Sequence, residues 1–184
     1  MAVTGFTMLF SQIKRIDTTV KMGAAGYRVY CNNKSAENNT LSIKPSGFES
    51  SAQEANFLIK GKVAKAEIED FNNDGFPDLI LYVYSGTNGE MGTVIGITSI
   101  GNKSMSPIYF PDILDDIKLR VGYKGHDEFY LLQGTLMRSF PIFKTDDATD
   151  KPTGGKRVIQ YQMTTTEREG VFKFKVLRSY DAKQ

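Results

Sequence analysis

Leu79-Ile80-Leu81-Tyr82-Val83-Tyr84 runs without a polar interruption, and its reading decides the fold. A strand with one face in water alternates apolar and polar residues. A short apolar run between turn signals instead reads as a strand covered on both faces. Val94 to Ile100 is its expected hairpin partner. Working outward, the period of the pattern stays at two. Tyr27, Val29 and Cys31 share a face, as do Leu41 and Ile43, and Ala64, Ala66 and Ile68. Near the end, Ile159, Tyr161 and Met163 form one such face and Phe172, Phe174 and Val176 another, with Lys173 and Lys175 pointing the opposite way. Turn signals at Gly23, Asn32-Asn33, Pro45-Ser46-Gly47, Gly61, Gly101-Asn102, Gly134 and Pro152-Thr153-Gly154-Gly155 punctuate these runs. Many short strands with frequent turns predict a single all-β domain over residues 1–184, a sandwich or a barrel. At most one short helix is expected, within Asp112 to Leu119, with Asp112 as its N-cap after Pro111.

Composition narrows the function classes. The chain has 184 residues, 40% hydrophobic and 24% charged, with a formal net charge of +2. Its charges are well mixed, so nothing points to nucleic acid or a membrane surface as a partner. Cys31 is the only cysteine and His126 the only histidine, which excludes an intramolecular disulfide and argues against zinc. No apolar run is long enough to cross a bilayer as a helix. Met1 to Phe10 lacks the basic and apolar regions of a signal peptide. The expectation is therefore either a cytosolic protein or a chain that begins after a removed leader.

Three segments carry candidate chemistry. In Asp70-Phe71-Asn72-Asn73-Asp74-Gly75-Phe76-Pro77-Asp78, oxygen ligands stand at Asp70, Asn72, Asp74 and Asp78, with Gly75 to allow a sharp turn. Oxygens at alternate positions of a short loop suit Ca²⁺. The same residues are also ordinary turn chemistry, and the glutamate that closes a helix-flanked calcium loop is replaced by Leu81. The second segment, Ser85-Gly86-Thr87-Asn88-Gly89-Glu90-Met91-Gly92, tips the hairpin after the apolar strand. It is either a flexible hairpin end or a binding loop on a rigid base. The third, His126-Asp127-Glu128, resembles an acid/base cluster. It lacks an evident nucleophile and oxyanion donors, and is read as a hydrogen-bonded scaffold for its loop.

Several blocks in order carry a family resemblance: Ser104 to Pro111, Gly122-Tyr123-Lys124-Gly125-His126-Asp127-Glu128-Phe129, Arg138 to Lys144, and Pro152 to Arg157. Together they resemble the periplasmic inhibitors of invertebrate-type lysozyme found in Gram-negative bacteria. The likeness is good from about 64 to 163 and weak before that. It implies an antiparallel β-sandwich, exported to the periplasm or secreted, homodimeric and without catalytic activity. It also implies that the loop with Ser85, Thr87, Asn88, Gly89, Glu90 and Met91 enters the substrate cleft of a lysozyme. This chain departs from that pattern at the tip. Where the family has a serine and a tyrosine, Asn88 and Met91 stand, and the Met91 thioether cannot donate a hydrogen bond. Two other readings are compatible with the sequence: the same scaffold binding a different extracellular protein or glycan, and a calcium-braced structural module.

Overall fold

The computed structural model describes residues 10–49, 52–148, 151–168 and 170–183. They form twelve strands and two single-turn 3-10 helices. A four-stranded antiparallel sheet contains β1 (Ile16–Met22), β2 (Ala25–Cys31), β3 (Asn38–Ser46) and β4 (Ala55–Lys60), paired in that order. The remaining strands are β5 (Lys62–Glu69), β6 (Asp78–Ser85), β7 (Met91–Ile100), β8 (Ser104–Tyr109), β9 (Glu128–Leu132), β10 (Thr135–Pro141), β11 (Lys156–Thr165) and β12 (Phe172–Ala182). They make one eight-stranded sheet in the order β5-β6-β7-β8-β12-β11-β10-β9, curled into a half-barrel.

This second sheet is two four-strand meanders joined last strand to last strand. The join is parallel, pairing Phe172 with Ile108 and Lys173 with Tyr109. The expectation of antiparallel pairing throughout therefore fails at one place. A hairpin sets the direction of its own two strands, but β8 and β12 are linked only through three other strands, so local turn chemistry does not dictate how they meet.

The apolar run is buried on both faces, as its lack of alternation predicts. Leu79, Leu81 and Val83 face the four-stranded sheet, in one core cluster with Tyr27, Val29, Leu41 and Ile43. Ile80 and Tyr82 face the hollow of the half-barrel, with Leu136, Phe140, Ile159, Tyr161 and Phe174. Two cores thus share one strand. Polar side chains fasten the sheets where they meet. Asn33 donates to the Lys14 carbonyl (2.7 Å) and the Val63 carbonyl (2.8 Å), and accepts from the Val63 amide (2.9 Å). The Tyr27 hydroxyl donates to the Pro77 carbonyl at 2.8 Å.

One stretch departs from strict alternation. A β-bulge between Val63 and Lys65 shifts the register of β5, so Val63 joins the core in place of Ala64, while Ala66 and Ile68 remain on that face. A single inserted residue exchanges the two faces upstream of it. The expected helix is one 3-10 turn, Ile113–Asp115, whose N-cap Asp112 accepts from the Leu114 amide as predicted.

Asp78, at the start of β6, has no solvent exposure. Its Oδ2 accepts from the Phe71 amide at 2.9 Å. Oδ1 has no hydrogen-bond partner among the described residues, and neither has the hydroxyl of Thr98, its register partner on β7. Burial is the main cause that raises the Asp78 pKa from 3.8 to about 6; the Phe71 amide opposes it, and the nearby Asp74 and Asp70 add to it. The folded state thus favours the protonated acid. That stabilisation is complete below pH 3.8 and is lost as pH rises through about 6, a difference worth roughly 3 kcal/mol. Asp78→Asn is expected to remove this dependence. Urea unfolding at pH 4.5 and pH 7 should show the variant gaining stability over the parent at the higher pH; an equal difference at both would contradict it.

Candidate functional site

The hairpin loop grows from the most deeply buried part of the sheet. Tyr84 pairs with Gly92 and Ser85 with Met91, leaving Gly86 to Glu90 as the loop proper. Gly86 and Gly89 have φ of 93° and 73°, conformations open to glycine at little cost. Glu90 does not project as a free charge. Its carboxylate accepts from the Asn88 amide at 2.8 Å, and a Cβ on Gly86 would lie 2.6 Å from it. The amides of Glu90 itself, Asn88 and Thr87 together hold its pKa below the ordinary value, against a small burial penalty. Thr87 and Asn88 are exposed, whereas Ser85, Gly86, Gly89, Glu90 and Met91 are half-buried.

Beneath the loop lies a charged network within the half-barrel. The Arg138 Nε donates to Asp127 Oδ1 at 2.7 Å, with the two side chains 2% and 0% exposed. Asp127 Oδ2 accepts from the Gly92 amide (2.8 Å) and the Tyr123 hydroxyl (2.6 Å). Arg138 Nη2 donates to the Tyr123 hydroxyl (3.0 Å) and the Gly92 carbonyl (3.4 Å). Both polar backbone groups of Gly92 are thus held by one ion pair. Gly92 is required there, since a Cβ would lie 2.6 Å from Asp127 Cβ and 2.8 Å from the Phe129 ring. The rings of Tyr123, Phe129, Phe140 and Phe110 surround the guanidinium at 5.2 to 5.9 Å, within the range of cation–π attraction. Burial works against the charge on Arg138, but Asp127 outweighs it and keeps the pKa above that of an ordinary arginine.

A second tether is made by backbone alone. The His126 amide donates to the Glu90 carbonyl at 2.5 Å, with His126 itself at φ 64°. Gly125 passes so close that a Cβ would lie 2.3 Å from the Glu90 carbonyl oxygen. The His126-Asp127-Glu128 segment therefore acts as the loop's mount. Its third member, Glu128, pairs with Lys156 and accepts from Ser139.

Two features of the site went unread in the sequence. Phe10 packs across the loop at Gly89, where a Cβ would lie 2.4 Å from its ring. Lys62 Nζ sits 4.7 Å from the centroid of that ring and donates to the Phe10 carbonyl. No pattern in the sequence links residues so distant. Arg138 is the other. Its signal was present, because it occupies the core register between Leu136 and Phe140. Its partner was not legible.

The Asp70 loop is separate. Asp70 accepts from the amides of Asp74 (3.0 Å) and Gly75 (2.9 Å), Asp74 from the Phe76 amide (2.9 Å) and Asn72 Nδ2 (2.7 Å). Asp70, Asn72 and Asp74 are thus brought together, while Asp78 points into the core. Among the described residues no three acidic, histidine or cysteine side chains converge as a metal-holding group. The loop's own amides close it, so exchanging calcium for a chelator is expected to leave the melting temperature unchanged. A calcium-dependent rise would mean that the carboxylates re-aim toward an ion.

Replacing Arg138 by Met strands a buried carboxylate, with an expected loss of about 3–5 kcal/mol in urea unfolding. Combining it with Asp127→Asn should cost less than the sum of the two single changes. An additive double variant would show that the pair is not coupled.

No family model matches the chain, and no curated protein matches it significantly.

Proposed function

We propose that the protein is a non-catalytic binding protein that presents the Ser85–Met91 loop to the cleft of a partner enzyme. A lysozyme of the invertebrate type is the partner that the sequence resemblance implies. The observation that carries this reading is the loop's mount: both polar groups of Gly92 and the carbonyl of Glu90 are tied to a buried scaffold, while Thr87 and Asn88 stay exposed. A loop held in one conformation loses little entropy on binding. The Thr87 hydroxyl and the Asn88 amide both donate hydrogen bonds, which suits a cleft lined by catalytic carboxylates. Glu90, folded onto the loop's own amides, presents less charge to repel such a cleft than its sequence position suggests. Met91 lines a cavity at the root of the loop and so serves the loop rather than the contact.

In this reading the four-stranded sheet and the facing strands β5 to β7 are the two layers of an antiparallel β-sandwich. Export to the periplasm or beyond the cell, and a homodimer, belong to the same proposal. The runner-up is the same scaffold with a different extracellular protein or glycan as its partner; the altered tip favours it.

Titration into invertebrate-type, chicken-type and goose-type lysozymes tests the reading. Stoichiometric loss of the invertebrate-type activity alone is expected. Asn88→Ala should weaken inhibition by about 10- to 100-fold, the value of one hydrogen bond to a charged group. Undiminished muramidase activity in every enzyme would exclude lysozyme as the partner.

A further inference from the structure

The four-stranded sheet covers only part of the outer face of the eight-stranded one. The core between them draws on β5 to β8 and takes nothing from β9 to β12. The uncovered part is basic. Residues 151–184 hold eight of the chain's 23 basic residues and only three of its 21 acidic ones, an excess that the overall balance of charge conceals. On β12, Phe172, Phe174 and Val176 pack into the half-barrel, so Lys173 and Lys175 stand exposed on the outer face. Strict alternation would turn Arg178 inward after Val176. A β-bulge opposite Gln160 and Tyr161 turns it outward instead, level with Gln160, whose Oε1 accepts from Arg178 Nε at 2.6 Å. Three cations thus stand in line, and among the described residues none of them forms an ion pair.

Like charges set in a row repel one another, and a partner of opposite charge relieves that repulsion. The row from Lys173 to Arg178 is about 17 Å long, the shape of a linear polyanion and not of a small anion. The neighbours decide its class. Across the ladder the three cations face Thr164, Gln162 and Gln160, whose hydroxyl and amides both donate and accept hydrogen bonds, as sugar hydroxyls do. A single-stranded nucleic acid stacks successive bases on aromatic side chains along its path. Here exposed rings stand only at the ends of the row, Tyr109 beside Lys173 and Tyr180 beyond Arg178. We propose that this face binds a linear acidic polysaccharide, with its carboxylates on Lys173, Lys175 and Arg178 and its hydroxyls on the neighbouring amides. The site is separate from the Ser85–Met91 loop and stands whatever that loop's partner is.

The experiment is an NMR titration of the isotope-labelled full chain with polygalacturonate oligomers, following the backbone amides of β11 and β12. Saturable shifts are expected there, with a dissociation constant on the order of 100 µM at low salt. Raising the salt from about 50 to about 200 mM should weaken binding at least about ten-fold. Uncharged dextran should give no response, and oligothymidylate should bind at least about ten-fold more weakly than polygalacturonate. The triple variant Lys173→Gln, Lys175→Gln, Arg178→Gln should lose at least about ten-fold in affinity. Lys21→Gln, Lys44→Gln and Lys60→Gln together remove the same charge from exposed positions of the four-stranded sheet and should leave binding unchanged. Four results overturn the proposal: no saturable response to polygalacturonate, equal losses in the two triple variants, or dextran or oligothymidylate binding as tightly as the acidic polymer.

Discussion

A guanidinium and a carboxylate buried 2.7 Å apart set the terms for everything around them. Removing both charges from water carries a large desolvation penalty, offset only when geometry is good and the remaining donors and acceptors are satisfied. Here the Asp127 carboxylate takes three hydrogen bonds, from Arg138, Gly92 and Tyr123. The aromatic rings around Arg138 supply apolar bulk and a favourable electrostatic face. The pair also accounts for the neighbouring sequence: Gly92 because nothing larger fits, and Tyr123 because its hydroxyl both donates to Asp127 and accepts from Arg138.

That network is effective because of where β6 runs. A strand covered on both faces cannot shift register without moving two cores at once. Its end is consequently a fixed point from which to launch a loop. The Ser85–Gly92 hairpin leaves β6 at that end and is caught on its return by Asp127 and Arg138. Position is thus transmitted from Leu79, Leu81 and Val83 in one core, and Ile80 and Tyr82 in the other, to the exposed Thr87 and Asn88. The backbone carries most of the fixation. Side chains at the tip can therefore differ, as Asn88 and Met91 differ from the pattern the chain resembles, without altering how the loop is held.

Much of the scaffold was legible in the sequence because it rests on local rules. Period-two alternation found β2, β3, β11 and β12, the missing alternation of Leu79 to Tyr84 found the shared strand, and Asp112 marked its 3-10 turn. Where reading failed, the cause was non-local. The bulge at Val63–Lys65 answers to packing against the other sheet, not to any turn residue. The parallel join of β8 and β12 depends on how two meanders meet. At the site, the loop and the Gly125-His126-Asp127 mount were recognisable as segments. That Asp127 would find Arg138, that Phe10 would cover Gly89, and that Asp78 would turn away from Asp70 and Asp74 are all facts of tertiary arrangement.

The account stands on the loop being held in one conformation before any partner arrives. Backbone ¹⁵N relaxation across Ser85 to Gly92 measures this directly. Order parameters near those of rigid backbone, about 0.85, are expected at Glu90, Met91 and Gly92, with only Thr87 and Asn88 falling modestly below. Values under about 0.6 across the whole loop would mean that the buried ion pair does not fix it.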